Sequence, residues 1–160
     1  CDQHFFSAEN EEGGEGMREI LFRGFVEGNV RKYIFVEGNK VNGVWRTGTP
    51  FLLPNGKQYI HGYIGDFSEK EEYWCTSQKI VPGTLGQYTG IKDKYGQKIF
   101  EGDKVKGFND LIQREEKYIV MWACNNGFYF VDDARTEWHP EHVIPCEIIG
   151  TVFDVDESVD

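Results

Sequence analysis

The chain has 160 residues and a formal net charge of −10. This length suits one well-cored domain or two small ones, and no apolar run approaches the roughly 20 residues that a membrane-spanning helix needs. The acidic excess lies at the two ends, since residues 17–153 hold 17 basic and 18 acidic side chains. A nearly neutral body gives no global field that would attract nucleic acid or an anionic membrane.

The composition predicts β-structure. Nineteen Gly against five Pro are typical of many short strands joined by tight turns, and twelve Phe, eight Tyr and four Trp can fill a core. We therefore predict a mainly β protein of short antiparallel strands. The expected arrangement is a small SH3-like barrel or roll after an N-terminal β-meander, with few short helical turns.

The N-terminal residues differ from the rest of the chain. Residues 1–16 contain five acidic and no basic side chains and end in Gly-Gly-Glu-Gly before Met17. We interpret them as a disordered acidic leader or an expression remnant. From Met17 to Asp154 we expect one β domain, or two lobes with a break near Pro82, and residues 155–160 are predicted to be a frayed acidic tail.

The chain has no marks of export. Its N-terminus lacks the basic and then apolar pattern of a secretory signal. The four cysteines form no CxxC pair or dense framework, which favours reduced, buried thiols; they are Cys1, Cys75, Cys124 and Cys146. We therefore expect a cytoplasmic protein.

Turn dipeptides divide the first half of the domain. A strand is predicted to begin around Ile20, where apolar and charged residues alternate. Val26-Glu27-Gly28-Asn29 recurs as Val36-Glu37-Gly38-Asn39, which indicates turns repeated along a meander. Asn42-Gly43 and Asn55-Gly56 predict two hairpin turns.

The remaining elements follow from the same kinds of signal. Ser68 and Glu71 have the spacing of a capping box and predict one helical turn. The other predictions are a strand over Lys57–Ile64, a hairpin of Tyr118–Ala123 and Phe128–Val131, a 3₁₀ turn around Pro140 and a last strand over Glu147–Phe153.

Glycines that indicate turns are most frequent between Ile80 and Gly107. Residues 86–94, Gly-Gln-Tyr-Thr-Gly-Ile-Lys-Asp-Lys, followed by Gly-Gln-Lys-Ile-Phe-Glu-Gly-Asp at 96–103, resemble the GQYTGLKDKNGKEIYEGD signature of the YopX family. Residues 18–24 and 147–154 resemble that family's opening and its closing EVIGNIYDN. The family occurs in phages and prophages, is β-rich and has no established molecular function. The resemblance therefore implies a phage or prophage accessory protein in the cytoplasm of a bacterial host, and no mechanism.

We expect the signature residues to be structural. Thr89 and Asp93 are predicted to hold turns through bonds from side chain to backbone, and Gly102 is predicted to need a positive φ in a tight connection. The residues covered by this expectation are Gly86, Gln87, Tyr88, Thr89, Gly90, Asp93, Glu101, Gly102 and Asp103.

A cluster of lysines and aromatic residues overlaps the signature. It contains Lys92, Lys94, Lys98, Lys104 and Lys106, with Tyr95 between them and Tyr88 and Phe100 nearby. Small β-barrels bind single strands by combining a basic groove with stacking aromatic rings. Three interspersed acids weaken this signal, so nucleic-acid binding is an alternative to the lysines being a solvated face.

Only weak signals point to a metal site or a catalyst. Cys124, His139, His142 and Cys146 are residue types that bind zinc, but they lack the close ligand pairs of structural zinc sites. Cys124 with a His base, oriented by Asp132 or Asp133, would be a hydrolase alternative. We expect no cofactor, no membrane association and no catalysis. The preferred function is binding to a protein, which includes another copy of this chain.

Overall fold

The computed structural model describes residues 19–64, 74–123 and 127–155, and it describes the side chains in those ranges except at 63–64 and 74–75. The expected leader, the predicted helical turn at Ser68–Glu71 and the end of the tail lie outside these ranges. The strands are β1 (Phe22–Glu27), β2 (Tyr33–Val36), β3 (Asn39–Leu52), β4 (Gln58–Ile64), β5 (Trp74–Lys79), β6 (Gly86–Lys92), β7 (Lys98–Phe100), β8 (Asp103–Asn109), β9 (Arg114–Ala123), β10 (Gly127–Val131), β11 (Glu137–Trp138) and β12 (Cys146–Thr151), with a 3₁₀ turn at Pro140–His142.

The strands form two antiparallel sheets. The first has the order β5-β4-β3-β1-β6-β7, with β2 also paired to β3, and the second has the order β11-β10-β9-β8-β12. The prediction of a mainly β, antiparallel protein is confirmed. No helix in the described ranges is long and apolar enough to cross a membrane.

The described strands do not close into a barrel, so the expected SH3-like barrel is not found. β7 ends at Phe100 in the first sheet, and β8 begins at Asp103 in the second. The outer edge of β12 receives a main-chain bond from the β6–β7 turn, where Lys94 N–H donates to Cys146 O at 2.8 Å. A turn meets the strand edge here and no strand ladder continues across it, so the two sheets remain open.

The structure contains the predicted turns at Asn55-Gly56 and within residues 36–39 but not the one predicted at Asn42-Gly43. Asn55-Gly56 connects β3 to β4, with Gly56 at φ +86°. The turn indicated by Val36-Glu37-Gly38-Asn39 is also present, with Glu37 and Gly38 at φ of 50° and 78°. Asn42-Gly43 lies inside β3 and forms no turn. Gly43 has a packing role in the strand, because a Cβ there would lie 2.1 Å from Val26 O.

The other predicted elements lie close to their expected positions. The β9–β10 hairpin, the 3₁₀ turn and the last strand are present, although the residues between Ala123 and Gly127 lie outside the described ranges. β12 ends at Thr151, two residues before the predicted end of the last strand. This difference matters because Val152 and Phe153 are then free to pack elsewhere.

Each sheet has its own buried cluster. The larger one lies on the second sheet and consists of Ile99, Val105, Tyr118, Val120, Phe128, Phe130, Val143 and Cys146. The smaller one consists of Val26, Ile60 and Ile80 on the first sheet, with Leu85 packed against it. Ile99 comes from β7, so the signature hairpin supplies a side chain of the first sheet to the core of the second.

Candidate functional site

The β6–β7 turn is organised by the carboxylate of Asp93. Its Oδ1 accepts hydrogen bonds from Tyr95 N–H at 2.9 Å and from Gln97 N–H at 2.8 Å, while Oδ2 accepts from Ile148 N–H at 3.3 Å. Ile148 belongs to β12, so this one side chain both holds its own turn and bonds to the second sheet. The expected bonds from the Asp93 side chain to the backbone are present.

The environment of Asp93 favours its charged form. Burial alone would raise the pKa of Asp93, but the N–H groups of Gln97, Ile148 and Tyr95, with the charge of Lys94, outweigh this and leave the pKa below its ordinary value. The carboxylate is therefore ionised at neutral pH, where an anionic acceptor makes stronger hydrogen bonds than a neutral one.

A second carboxylate, Asp103, lies where the chain passes between the sheets. Its Oδ2 accepts from Phe100 N–H at 2.8 Å, and its Oδ1 lies 2.6 Å from Nη2 of Arg23 in β1. The Arg23 guanidinium stacks between the rings of Trp45 and Phe100, at 4.6 and 4.9 Å from their centroids. Burial raises the pKa of Asp103 despite the neighbouring Arg23 charge.

Gly102 completes the connection between the sheets. It has φ +92°, as predicted for this tight turn. Its N–H donates to Val120 O and its carbonyl accepts from Val152 N–H, both at 2.9 Å. The Glu-Gly-Asp end of the signature therefore bonds to β1, to β9 and to the segment after β12.

The first half of the signature forms an irregular β6 strand. The pairing of β6 with β7 shifts between Tyr88 and Lys92, and Gly90 has φ +85°. Thr89 Oγ1 bridges the shift, because it donates to Ile99 O at 2.8 Å and accepts from Ile91 N–H at 3.1 Å.

The remaining signature residues either pack against neighbouring residues or take part in main-chain hydrogen bonds of the signature hairpin. Tyr88 is 4 % exposed with its ring 5.6 Å from that of Phe100, and burial raises its pKa. A Cβ at Gly86 would lie 2.7 Å from Glu101 O, so only glycine fits there without a shift. Gln87 O accepts the Glu101 N–H at 2.9 Å.

The five lysines of the predicted cluster are divided between the two sheets. Lys92 and Lys98 face each other across β6 and β7, whereas Lys104 and Lys106 lie on β8. Three of the five have carboxylate partners: Lys94 with Glu147 at 3.4 Å, Lys98 with Glu19 at 3.1 Å and Lys106 with Glu115 at 3.4 Å. Tyr95 is 67 % exposed, and Lys94 Nζ lies 5.2 Å from its ring centroid.

The weak metal and catalytic candidates make ordinary structural contacts where they are described. His142 Nδ1 lies 3.0 Å from Asp110 Oδ1, and His139 Nδ1 accepts from Glu141 N–H at 3.2 Å. Burial, with a smaller effect of the Asp93 charge, raises the pKa of the Cys146 thiol to about 11.

Of the residues named for a hydrolase, Cys124 lies outside the described ranges. Asp132 accepts from Thr136 N–H and Trp138 Nε1, whereas Asp133 is exposed at the surface. Across the described ranges, no three His, Cys, Asp or Glu side chains are grouped to hold a metal ion.

A surface depression that the sequence did not predict lies between the β2–β3 hairpin and the residues after β12. It has a volume of 780 Å³, and eight of its twelve lining residues are apolar. Those eight are Phe35, Val36, Val41, Val81, Pro82, Val152, Phe153 and Val155. Glu37 is the ionisable residue of its lining.

Two smaller depressions adjoin the first around the turn formed by Val81–Thr84. One of 450 Å³ shares Val41, Val81 and Pro82 with it, and one of 200 Å³ shares Gly83, Val152 and Phe153. We call the three together the groove.

The residues after β12 form one wall of the groove. Asp154 folds back on Thr151, accepting from its N–H at 2.7 Å and from its hydroxyl at 3.0 Å. Phe153 O then accepts from Phe35 N–H at 2.8 Å, and the Phe153 ring lies 5.7 Å from that of Trp45. The wall segments are far apart in sequence, so the folded topology is what places them together.

A family model described as YopX protein matches residues 22–158, which is nearly the whole chain. No curated protein and no solved structure matches the chain.

Proposed function

Because the chain belongs to the YopX family, we propose that it is a phage or prophage accessory protein of the bacterial cytoplasm that acts by binding another protein. The proposed activity has no catalytic step and uses no cofactor. Its family context supports the phage origin as an expectation, and the binding role rests on the surface of the molecule.

The observation that carries this proposal is the groove. Its largest depression falls within the range of roughly 300–1,000 Å³ found for ligand sites, and most of its lining is apolar. Val155 in its wall is 53 % exposed, and Pro82 at its centre is exposed as well. Depressions of this size with a mainly apolar lining are typical of binding sites.

Site-specific photo-crosslinking in bacterial cells that carry the phage or prophage would test the proposal. A photoreactive amino acid would replace Val155 in the groove, and the matched control would place it at Leu111, which is 60 % exposed on the β8–β9 connection. We expect a discrete crosslinked protein from position 155 and none from position 111. The same adducts from both positions, or none from either, would overturn the proposal.

Nucleic-acid binding remains the second candidate function. It is favoured by the exposed Tyr95 ring beside Lys94 and by Lys104, which has no carboxylate within ion-pair distance in the described ranges. Fluorescence anisotropy with labelled single-stranded and double-stranded oligonucleotides would test it. Binding that weakens steeply with salt, and further on replacement of Lys92, Lys94 and Lys98, would support this function; no binding at low salt would exclude it.

A further inference from the structure

We infer that the groove binds an extended, apolar segment of the partner protein that carries basic residues. This inference rests on the proposed function and specifies its ligand. It depends on three features of the described residues: the charge at the rim, the strand edge beside the groove and the shape of the apolar floor.

The ionisable groups around the groove are mainly acidic. Glu37 lines the largest depression, Glu101 the smallest, and the third contains Glu27 and Lys79. An acidic rim around an apolar floor favours a partner with Lys or Arg beside its apolar residues, because complementary charge speeds association and selects the partner.

The edge of β2 supplies main-chain groups next to the groove. Ile34 and Val36 lie opposite Val41 and Asn39 in the hairpin, and Phe35 N–H points the other way, to Phe153 O. The alternate residue Tyr33 therefore presents its N–H and C=O on the same outer edge as Phe35. The Phe35 N–H is already bonded to Phe153 O, so an extended chain would pair with this edge through the main-chain groups of Tyr33. Such pairing recognises backbone without regard to sequence.

The floor of the groove can accept every second side chain of an extended segment of the partner protein. The exposed turn residues Pro82 and Gly83 stand between the adjoining depressions. In an extended segment, residues two apart point to the same side. Two or three apolar side chains of one segment would then enter separate depressions, with basic residues left at the rim.

Three labelled peptides with an alternating apolar core would test the ligand class. The probes are Lys-Val-Thr-Ile-Thr-Val-Lys, the same core flanked by Glu, and the same core flanked by Ser, each titrated into the full chain by fluorescence anisotropy. We expect saturable binding of the Lys-flanked peptide, about tenfold tighter than the Glu-flanked one at low salt.

Two variants that introduce a positive charge test whether the peptide binds in the groove. Glu37→Lys reverses the rim charge and Val155→Lys puts a charge on the exposed wall, so both should weaken binding of the Lys-flanked peptide by about threefold or more. The matched controls are Asp133→Lys and Leu111→Lys, at exposed positions outside the groove lining. They should bind the peptide as the unsubstituted chain does.

The outcomes separate this inference from the proposed function. Equal binding of the Lys-flanked and Glu-flanked peptides, or no peptide binding while Val155 still crosslinks to a discrete protein, would overturn the inference alone. If sedimentation velocity shows self-association that Val155→Lys abolishes, the occupant is a second copy of this chain and the inference is also wrong. Absence of both peptide binding and crosslinking would overturn the two together.

Discussion

Asp93 lies near the middle of the signature and Asp103 at its end, and each accepts main-chain N–H groups of a turn that it begins or closes. The two carboxylates differ in the groups that surround them. Asp93 is held by N–H dipoles, so its charged form is favoured, whereas Asp103 is buried beside Arg23 and its pKa is raised. Their contributions to stability should therefore change with pH in opposite directions.

For Asp93, the lowered pKa gives a signed pH dependence. Its stabilising contribution is present above the ordinary pKa of an unfolded Asp and is lost as pH falls through the lower folded pKa. Asp93→Asn should cost about 1–3 kcal/mol at neutral pH, because an amide is a weaker acceptor and its Nδ2 cannot accept from Ile148 N–H. The difference between the two proteins should shrink near pH 3.

Urea denaturation of both proteins at neutral and acid pH measures this difference. An equal gap in unfolding free energy at the two pH values would show that the Asp93 charge does not contribute.

At Gly102, backbone conformation is the constraint. Gly102→Val should lower the melting temperature, because a β-branched residue at φ +92° costs about 1–3 kcal/mol. Gly28→Val is the matched control, since a Cβ at Gly28 meets nothing within 4 Å and its φ lies outside the left-handed region. Equal melting temperatures for the two variants, measured by circular dichroism, would contradict this reading.

At the scale of an element, the β6–β7 hairpin is a structural unit whose two tyrosines have opposite environments. Tyr88 is 4 % exposed and packs on Phe100, while Tyr95 is 67 % exposed. Tyr88→Ala should therefore destabilise the protein by about 3–5 kcal/mol, as other aromatic truncations in cores do. Tyr95→Ala should change thermal unfolding very little. If Tyr88→Ala leaves the melting temperature intact and removes binding, the signature is a contact surface.

The sequence predicts an element whose conformation depends on neighbouring residues in the chain. It does not predict one whose conformation depends on packing against a distant segment. Asn55-Gly56 forms its turn because nothing competes with the local preference. Asn42-Gly43 carries the same signal but lies in β3, where Gly43 lets β1 approach closely. A dipeptide cannot reveal which use a glycine serves, because the neighbour that decides it for Gly43 is Val26, which lies 17 residues earlier in the chain.

The candidate site shows the same division. The bonds from Ile91 N–H to Thr89 and from Tyr95 N–H to Asp93 each join residues two apart and are predicted by the sequence, whereas the bond between Asp93 and Ile148 spans 55 residues. The groove combines segments near 36, 82 and 153, and no signal in the sequence shows that these segments lie together. Only the paired strands and the shortened end of β12 bring these segments together.

Within the described ranges, main-chain hydrogen bonds, side-chain hydrogen bonds and ion pairs join the two sheets. The pair of Arg23 and Asp103 is central among them, since it connects β1 in one sheet to the start of β8 in the other. Arg23 Nη2 and Asp103 Oδ1 lie 2.6 Å apart, with the two side chains 11 % and 1 % exposed. The pair therefore acts mainly through charge and through the flanking rings of Trp45 and Phe100.

Replacing one member of the Arg23–Asp103 pair should destabilise the protein strongly, and replacing both members together should destabilise it less than the two separate effects would suggest. Arg23→Met or Asp103→Asn alone should each cost about 3–5 kcal/mol, because the first leaves a buried carboxylate and the second a buried guanidinium without a counter-charge. The double variant should lose clearly less than the sum of the two single losses. Chemical denaturation of the four proteins measures the coupling, and simple additivity would show that the two charges act independently.

The Asp93 turn also bears on the tendency of the folded protein to aggregate. A free strand edge can recruit edges of other chains into a growing sheet, and β12 is a six-residue edge strand containing Ile148 and the exposed Ile149. The turn covers that edge with the Lys94 N–H bond and the Asp93 carboxylate. A variant in which the turn no longer covers β12 has an unpaired strand edge in its folded state. Aggregation through that edge can then begin without prior unfolding.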